Sequence, residues 1–479
     1  MQAREQAARQ KLERMRQEHV LAFWDGLDAA AREGLLTQVE SLDPGVLDDL
    51  ASLVAQPASD AAVPEFSPPD VVPLGEVRGN SERIARARER GAELLASGRV
   101  GYLLVAGGQA SRLGFDGPKG AFAVGPVSGA TLFEIFAHRL RAARARYGTT
   151  PTWYVLTSEA NDAVTRAFFA EHDHFGLERE SLYFFRQGML PALDARGRVL
   201  MARPGEIFFA PNGHGGVLSA LATSGGLAHA RERGIDVFSY FQVDNPLARP
   251  ADPLFLGLHA LGEAQMSTKV VRKRNAAEKV GVLGRVDGKL SCIEYSDLPP
   301  ALREARTPAG ELVYGAGNIA VHAIDRAFIE RLTKHGLELP WHLARKAVPA
   351  LDSSGRAAKV DGVKFEAFVF DALQSTTSSV ILEVDRAEEF SPVKNAQGED
   401  SPATARADLC KLHARWAKLA GRPLPPPHDD GVHPVEVDPL VAESDEDVVR
   451  NPHGFPEPVV TPKGHLYRSD VRANAAPPR

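Results

Sequence analysis

The residues best suited to chemistry lie in one glycine-rich segment. It reads Gly107-Gly108-Gln109-Ala110-Ser111-Arg112-Leu113-Gly114 and is soon followed by Pro118-Lys119-Gly120. Glycine lets the backbone approach a ligand closely, so that its N–H groups attract anions. Arg112 and Lys119 add a planar and a compact positive charge. The segment lacks the Gly-Lys-Ser/Thr of a Walker A loop and the Gly-x-Gly-x-x-Gly of dinucleotide folds. It predicts a different kind of polyphosphate-binding loop.

Two aspartates follow apolar runs that are typical of buried strands. Asp244 comes after residues 241–243, and Asp385 comes after residues 382–384. A carboxylate at the carboxyl end of a strand suits Mg²⁺, which takes one or two protein carboxylates together with phosphate oxygens and water. The alternative for Asp244 is a helix N-cap, and a surface role is an equal alternative for Asp385. The pattern alone leaves two interpretations open: a magnesium site with Asp244 as ligand and Asp385 as the candidate second ligand, or a cap and a surface carboxylate.

Alternating elements must position these residues between about 80 and 420. Apolar runs predict strands at 102–106, 152–157, 182–186, 236–243, 267–273, 280–286 and 379–384. Amphipathic stretches predict helices at 82–97, 132–146, 160–171, 216–231, 325–334 and 402–419. This alternation is typical of an α/β fold with a mostly parallel sheet covered by helices on both faces. Ligands of such sheets lie beyond the carboxyl ends of the strands, which is where the glycine segment falls.

Length and composition limit the class of protein and the number of domains. A chain of 479 residues with 44% hydrophobic and 25% charged residues is typical of a soluble globular protein of two or three units. The predicted domains are an N-terminal helical segment and linker at 1–75, a catalytic domain at 76–390, and a C-terminal region at 391–479 with a loosely ordered tail. A net charge of −6, only two cysteines, and the lack of a signal sequence or membrane span predict a cytoplasmic protein.

The glycine segment with Pro118-Lys119 resembles the signature of the uridylyltransferases that join UTP to a sugar 1-phosphate. Within that group the chain is most similar to the UDP-N-acetylglucosamine pyrophosphorylases, over residues 18 to 420 or so, with several motifs in the same order. The resemblance implies a Rossmann-like nucleotidyltransferase fold of the nucleotide-diphospho-sugar transferase type. It also implies a mixed, mostly parallel sheet, an N-terminal helical segment and a small C-terminal region.

The resemblance implies further binding residues. Gln187-Gly188-Met189-Leu190-Pro191 matches the run that meets the uracil, and a glutamine amide can donate to and accept from an imide edge. Residues 391–395 resemble the family's Ser-Pro-Leu-Lys-Asn motif, which makes Lys394 a third cation near the phosphates. The residues implied for the sugar are Gly281, Glu294, Asn318, Phe368 and Phe370, of which the two aromatics line the N-acetyl pocket. Taken singly, such residues are more often surface charges, loop caps or core.

One segment departs from the family pattern. Pro211-Asn212-Gly213-His214-Gly215-Gly216 stands where eukaryotic N-acetylglucosamine enzymes have Pro-Asp-Gly-Asn-Gly-Gly. The UDP-glucose and broad UDP-sugar enzymes carry Gly-His-Gly at this place. Gly213 is still expected to present its backbone to the nucleotide, and His214 to touch ribose, phosphate or sugar. The histidine leaves the choice of sugar open.

Val243-Asp244-Asn245 matches the family's metal-binding position, so the resemblance favours Asp244 as the metal ligand and implies a magnesium-dependent uridylyl transfer. UTP and a sugar 1-phosphate, expected to be N-acetylglucosamine 1-phosphate, give the UDP-sugar and pyrophosphate. Arg112 is assigned to the β and γ phosphates, Lys119 to the α-phosphate and leaving group, and Lys394 to the sugar phosphate. The alternatives are a UDP-glucose or broad-specificity UDP-sugar pyrophosphorylase, and a catalytically dead nucleotide-sugar-binding protein. No nucleic-acid or membrane partner is expected.

Overall fold

The structure, a computed structural model, describes residues 1–56, 64–352 and 354–469. The chain forms two compact units. The first unit comprises Met1–Pro64, Gln187–Ser219 and His335–Asp371, and the second comprises Glu65–Arg186, Ala220–Lys334 and Ala372–Arg479. This division differs from the consecutive segments expected from the sequence, because each unit is assembled from separated stretches. The catalytic role given to residues 76–390 stays a prediction. Residues 57–63 of the predicted linker and 470–479 of the predicted tail lie outside the described residues.

Helices and strands are numbered separately in chain order. The α-helices are α1 Gln2–Arg14, α2 Ala29–Ser41, α3 Pro44–Ala55, α4 Leu74–Gly79, α5 Glu82–Ala96, α6 Leu132–Tyr147, α7 Asp162–Glu171, α8 Gly216–Thr223, α9 Gly226–Glu232, α10 Pro253–Leu261, α11 Pro300–Arg303, α12 Arg326–Leu332, α13 Arg386–Glu389, α14 Pro402–Leu419 and α15 Asp445–Arg450. Within the described ranges, no helix is both long and apolar enough to cross a membrane.

The strands are short, and most of them belong to the second unit. They are β1 Phe66–Ser67, β2 Val100–Val105, β3 Thr152–Thr157, β4 Leu182–Arg186, β5 Met189–Pro191, β6 Met201–Arg203, β7 Glu206–Ile207, β8 Phe209–Pro211, β9 Val237–Gln242, β10 Met266–Arg272, β11 Val282–Val286, β12 Lys289–Ile293, β13 Ala316–Asp325, β14 His342–Leu351, β15 Ala357–Glu366, β16 Ile381–Glu383, β17 Val435–Val437, β18 Val459–Thr461 and β19 Gly464–Tyr467.

A mixed sheet forms the centre of the second unit, in the order β1-β11-β13-β9-β2-β3-β4, with β10 paired to β13 and β16. The pairs β9–β2, β2–β3, β3–β4 and β10–β16 are parallel, whereas β13 runs antiparallel to both β9 and β10. The predicted α/β class with a mixed sheet is therefore confirmed. Because β13 runs against its neighbours, its first residues lie at the sheet edge where β9 and β10 end.

The predicted strands coincide with β2, β3, β4, β9, β10, β11 and β16 to within two residues at each end. These are the buried apolar runs; β2, for example, has Leu103 and Leu104 fully buried. The strands β13, β14 and β15 are missing from the predicted set. Their sequences mix glycine, charged residues and, in β14, Pro349, so that the apolar signal is weak.

Most predicted helices are also confirmed, including the start of α6, where Thr131 and Glu134 form the expected capping box. The single helix predicted at 216–231 is wrong. Gly225 adopts the left-handed conformation, with φ +84°, and separates α8 from α9. A β-carbon on the next residue, Gly226, would lie 2.4 Å from Leu221 Cδ1, so the chain turns tightly at this point.

The first unit packs the three N-terminal helices against the β14–β15 hairpin and the short strands β6 and β7. Its core is shared by α1, α2 and α3 with Val363 and Phe365 of β15. Asp28 and Asp43 cap α2 and α3, and Pro44 is the first residue of α3. The N-terminal segment therefore belongs to a larger core.

Residues 423–467, expected to be a loosely ordered tail, contain helix and sheet. Strand β19 pairs with β17 and β18, and these strands share a core with α14 that includes Tyr467 and Phe455. Glu436 of β17 accepts hydrogen bonds from the backbone N–H groups of Val127 and Ser128 and from the Ser128 hydroxyl. The secondary structure of this segment was not predicted, because prolines and charged residues interrupt its apolar residues and leave no long apolar run.

Candidate functional site

The glycine segment forms a tight loop at the carboxyl end of β2. The Lys119 N–H donates to the Gly108 carbonyl and the Ala110 N–H to the Gly117 carbonyl, which close the loop on itself. The Asn161 side chain donates to the carbonyls of Ala106 and Gly108 from outside. In the described part of the chain, no acceptor engages the N–H groups of residues 107–109. These donors therefore form an amide nest suited to an anion.

Lys119 and Asp244 meet at the ends of two neighbouring parallel strands. Lys119 begins a 3₁₀ turn after the β2 loop, and Asp244 lies two residues past the end of β9. Lys119 Nζ donates to Asp244 Oδ2 at 3.4 Å, and the two side chains are only 17% and 16% exposed. Arg112 is exposed and makes no side-chain hydrogen bond or ion pair with the described residues. The site thus combines one paired and one available cation with a carboxylate.

Lys394 lies in a loop that is fastened to the end of β9. The Val393 N–H donates to the Asp244 carbonyl at 2.8 Å, and the Ser391 N–H donates to Asn245 Oδ1 at 3.1 Å. Lys394 itself is half exposed, and its ammonium lies 4.0 Å from Asp400. A cavity of about 510 Å³ beside it is lined by positive Arg274, Lys279 and Lys394 and by negative Glu278, Glu399 and Asp400.

Asp385 is already engaged by protein groups. It is the N-cap of α13, where Oδ1 accepts from the Ala387 N–H at 2.9 Å, and Oδ2 pairs with Arg78 at 2.6 Å. This geometry favours the surface role considered for Asp385 from the sequence, and it adds a capping role that was not predicted. Among the described residues no group of three or more His, Cys, Asp or Glu side chains could hold a metal ion. A divalent ion at Asp244 would therefore take its other ligands from substrate and water.

The residues implied for the sugar in the second unit lie together. The Asn318 N–H donates to the Gly281 carbonyl at 2.9 Å, and its side-chain amide reaches Cys292 Sγ at 3.6 Å. A β-carbon on Gly281 would lie 2.9 Å from the same sulfur and 3.7 Å from Glu294 Oε1. Asn318 Oδ1 accepts from the Ala320 N–H, so the amide orientation is fixed.

In the first unit, a set of backbone bonds joins the residues implied for the nucleotide. Gln187 Nε2 donates to the Gly213 carbonyl at 2.8 Å, and the Asn212 N–H donates to the Gly188 carbonyl. Gly213 has φ +81°, and a β-carbon there would lie 2.4 Å from the Ala367 carbonyl oxygen. The two turns at 187–188 and 212–213 thus require glycine for close backbone packing.

An aromatic stack surrounds Phe368. The imidazoles of His342 and His214 stack on this ring, with centroid distances of 4.4 and 5.2 Å, and Phe370 lies 5.2 Å away. His214 Nδ1 accepts the Val369 N–H at 3.2 Å, which in the neutral ring places the proton on Nε2. Phe370 is buried and packs as core, whereas Phe368 is partly exposed.

One arrangement has the form of a hydrolase triad. His259 Nδ1 bonds Ser267 Oγ at 2.8 Å, and His259 Nε2 bonds Asp325 at 3.0 Å. The serine and histidine are almost completely buried, at 0% and 1% exposure. A substrate could not reach this hydroxyl, so the arrangement is a buried hydrogen-bond network.

Two positioning residues were not found from the sequence. Asn245 fastens the 389–393 segment, and His342 pairs with the buried carboxylate of Asp371 at 2.7 Å while it stacks on Phe368. Asn245 follows Asp244 directly, so its place at a strand end was a usable signal. For His342 the sequence carries no signal, because its partners come from the segment after β15.

Taken together, these features define an α/β protein whose sheet edge presents a glycine nest, several cations and a carboxylate, as in enzymes that transfer phosphate-linked groups. The family model described as UTP–glucose-1-phosphate uridylyltransferase matches residues 70–418. This chain belongs to that family.

Individual relatives agree with this assignment. The chain is 37% identical to UDP-N-acetylhexosamine pyrophosphorylase-like protein 1 of Homo sapiens, over 93% of this chain and 94% of the relative. It is 35% identical to UDP-N-acetylglucosamine pyrophosphorylase of Saccharomyces cerevisiae, over 83% and 88%. The crystal structure of the Trypanosoma brucei uridine diphosphate N-acetylglucosamine pyrophosphorylase superposes with a TM-score of 0.79 at 29% identity, covering 98% and 99% of the two chains.

Proposed function

We propose that this protein catalyses magnesium-dependent transfer of a uridylyl group from UTP to N-acetylglucosamine 1-phosphate. An oxygen of the sugar phosphate bonds to the α-phosphorus of UTP, the bond from that phosphorus to the bridging oxygen breaks, and pyrophosphate leaves. The observation that carries the proposal is the Lys119–Asp244 pair at 3.4 Å, beside the glycine nest. The names of the relatives, pyrophosphorylases of UDP-N-acetylhexosamines, support the choice of reaction.

Each of the three basic side chains is assigned to a different phosphate group. The available guanidinium of Arg112 suits the β and γ phosphates, because its planar fork binds two oxygens at once. Lys119 would neutralise charge at the α-phosphate and on the leaving pyrophosphate, and Lys394 would hold the sugar phosphate. The attacking oxygen is already anionic near neutral pH, so positioning and charge neutralisation suffice and no general base is needed.

Asp244 fits a magnesium ion. Its carboxylate is at a strand end, partly exposed, and shares one oxygen with Lys119. When bound there, Mg²⁺ would neutralise phosphate oxygens that the lysines alone leave charged. Both carboxylate oxygens of Asp385 already have protein partners, so the proposal places the ion on Asp244 without it.

Recognition of base and sugar is assigned residue by residue. Gln187, Gly188 and the backbone of Gly213 are proposed for the uracil and its ribose, as the fixed turns at these glycines suggest. Gly281, Glu294 and Asn318 are proposed for the sugar hydroxyls. The partly exposed ring of Phe368 suits an acetyl methyl group, and buried Phe370 supports it from behind.

His214 favours a second candidate, a UDP-glucose or broad UDP-sugar pyrophosphorylase. Its imidazole stacks on Phe368 and could contact a sugar or phosphate oxygen, a contact that does not require an acetyl group. The two candidates separate in the reverse reaction, in which pyrophosphate and a UDP-sugar give UTP. N-acetylglucosamine specificity predicts the highest kcat/KM for UDP-N-acetylglucosamine. A higher value for UDP-glucose would overturn the choice of sugar.

The forward assay tests the activity itself. Release of pyrophosphate is followed with UTP, N-acetylglucosamine 1-phosphate and Mg²⁺, and the same mixture with EDTA is the control. Turnover that requires both substrates and the metal is expected. UTP binding in a calorimeter without turnover of any sugar phosphate would favour the remaining alternative, a nucleotide-sugar-binding protein without catalysis.

A further inference from the structure

A lysine of the second unit is completely buried. Lys269 of β10 is 0% exposed, and its ammonium lies 2.6 Å from Asp252 and 2.5 Å from Glu389. Both carboxylates are almost completely buried as well, and Arg249 approaches Glu389 at 3.8 Å. One buried and one partly exposed cation thus face two buried carboxylates. Such a cluster gains little stability over apolar packing, so its retention calls for another explanation.

The two carboxylates are fixed to different parts of the fold. Asp252 caps α10 through the Leu254 N–H, at 3.0 Å. Burial alone would raise the pKa of Asp252, but the charges of Lys269 and Arg249 outweigh it and hold the pKa below its usual value. The carboxyl group therefore stays ionised. Lys269 in this way joins α10 to Glu389, the last residue of α13.

A continuous chain of bonds leads from Glu389 to the proposed catalytic groups. The Glu389 carbonyl accepts from Asn245 Nδ2 at 2.7 Å, and Asn245 Oδ1 accepts from the Ser391 N–H at 3.1 Å. The Val393 N–H then donates to the Asp244 carbonyl at 2.8 Å, and Lys394 follows directly. The loop that carries Lys394 is therefore fastened to the strand end that carries Asp244.

We propose that Lys269 is a positioning residue, which holds the loop of Lys394 at a fixed place relative to Asp244 by anchoring Glu389. The proposal rests on the proposed function for the role it gives Lys394. Lys269 touches no substrate. Its removal would leave Glu389 without its closest charge partner, and the loop would lose the anchor on which the Asn245 bonds depend. A shift of about 1 Å in a positioning group can slow a reaction about 10²-fold.

Hydrogen exchange of the backbone amides tests whether Lys269 anchors the loop, independently of any activity assay. In Lys269→Met, the amides of Ser391 and Val393 are expected to exchange at least about tenfold faster than in the wild-type protein. Leu256→Ala is the control, because Leu256 lies in the core of α10 and makes none of these bonds. It lowers global stability, but should leave the relative protection of these two amides unchanged. Equal loss of protection in both variants would overturn the proposal.

Kinetics separate positioning from general destabilisation. Lys269→Met is expected to lower kcat about tenfold or more with KM for UTP within about threefold, and to lower kcat less than about twofold in a Lys394→Ala background. The same fall in both backgrounds would overturn the proposal. If Lys269→Met does not fold, Glu389→Gln serves instead, because it keeps the size of the side chain and leaves Lys269 paired with Asp252. A wild-type protein without turnover would refute the proposed function, whereas the exchange result would still decide the anchor.

Discussion

Replacement of Lys119 by alanine gives the most direct measure of how the proposed site works. Its ammonium lies 3.4 Å from Asp244 Oδ2, in surroundings where both side chains are less than one-fifth exposed. At that distance, and with an effective dielectric constant of about 20, two unit charges interact by about 5 kcal/mol. A phosphate oxygen at a similar distance would gain about as much. Only the part of this energy that grows as charge moves to the leaving pyrophosphate accelerates the reaction.

Loss of a single electrostatic donor lowers kcat about 10²–10³-fold, or about 3–4 kcal/mol. Lys119→Ala is therefore expected to slow pyrophosphate release by that factor at saturating UTP, sugar phosphate and Mg²⁺. The stability change should be small, about 1 kcal/mol or less, because the pair is still partly in contact with water. The melting temperature of the variant checks this part of the prediction.

Lys463→Ala is the matched control, since Lys463 is an exposed lysine between β18 and β19. It should leave both turnover and melting temperature unchanged. Lys119→Arg should recover only part of the rate, because the guanidinium keeps the charge but not the compact shape. Turnover of Lys119→Ala within about threefold of wild type would refute the reasoning, since such an effect is too small for a donor to the leaving group.

Three further changes test the metal assignment and a buried histidine. Asp244→Asn should lower kcat at least about 10²-fold and raise the Mg²⁺ concentration for half-maximal rate; an unchanged Mg²⁺ titration would exclude it as a ligand. Asp385→Asn should leave kcat within about threefold of wild type and should lower the free energy of unfolding by about 0.5–2 kcal/mol, because the cap of α13 is weakened. A loss of kcat as large as that of Asp244→Asn would instead indicate that Asp385 is a metal ligand. Burial lowers the pKa of His413 to about 3. Between pH 6.5, the ordinary pKa of histidine, and about pH 3, the unfolded chain therefore binds a proton at this imidazole and the folded protein does not. Stability should therefore be unaffected above that pH and fall steadily as the pH drops from there towards about 3, and melting temperatures of His413→Gln should decline less than those of wild type over this range.

The proximity of Lys119 and Asp244 could be predicted from the sequence, for a simple physical reason. Lys119 and Asp244 both follow fully buried apolar strands, and parallel strands end at the same edge of a sheet. An apolar run, a glycine turn and a terminal charge are all local signals. Their meeting at 3.4 Å follows from the parallel pairing of β2 and β9.

Features that depend on partners distant in the chain were missed. Lys269 stands between Thr268 and Val270 in the sequence, and nothing in that run indicates that Asp252 and Glu389 enclose its ammonium. The β14–β15 hairpin was missed because its strands carry exposed lysines and arginines. Pro349 removes one more backbone donor from β14, which favours a non-strand interpretation in a single sequence.

The discontinuous first unit has a consequence for how the chain is made. Helices α1–α3 share their apolar core with Val363 and Phe365, which leave the ribosome some three hundred residues after α3. During synthesis these helices lack Val363 and Phe365, which belong to the same core as Leu12, Leu35 and Leu50 in the finished protein. Apolar surface that is exposed before folding is complete favours aggregation and chaperone binding. Expression at low temperature should therefore raise the yield of folded protein, and an N-terminal fragment that ends before residue 335 should be insoluble.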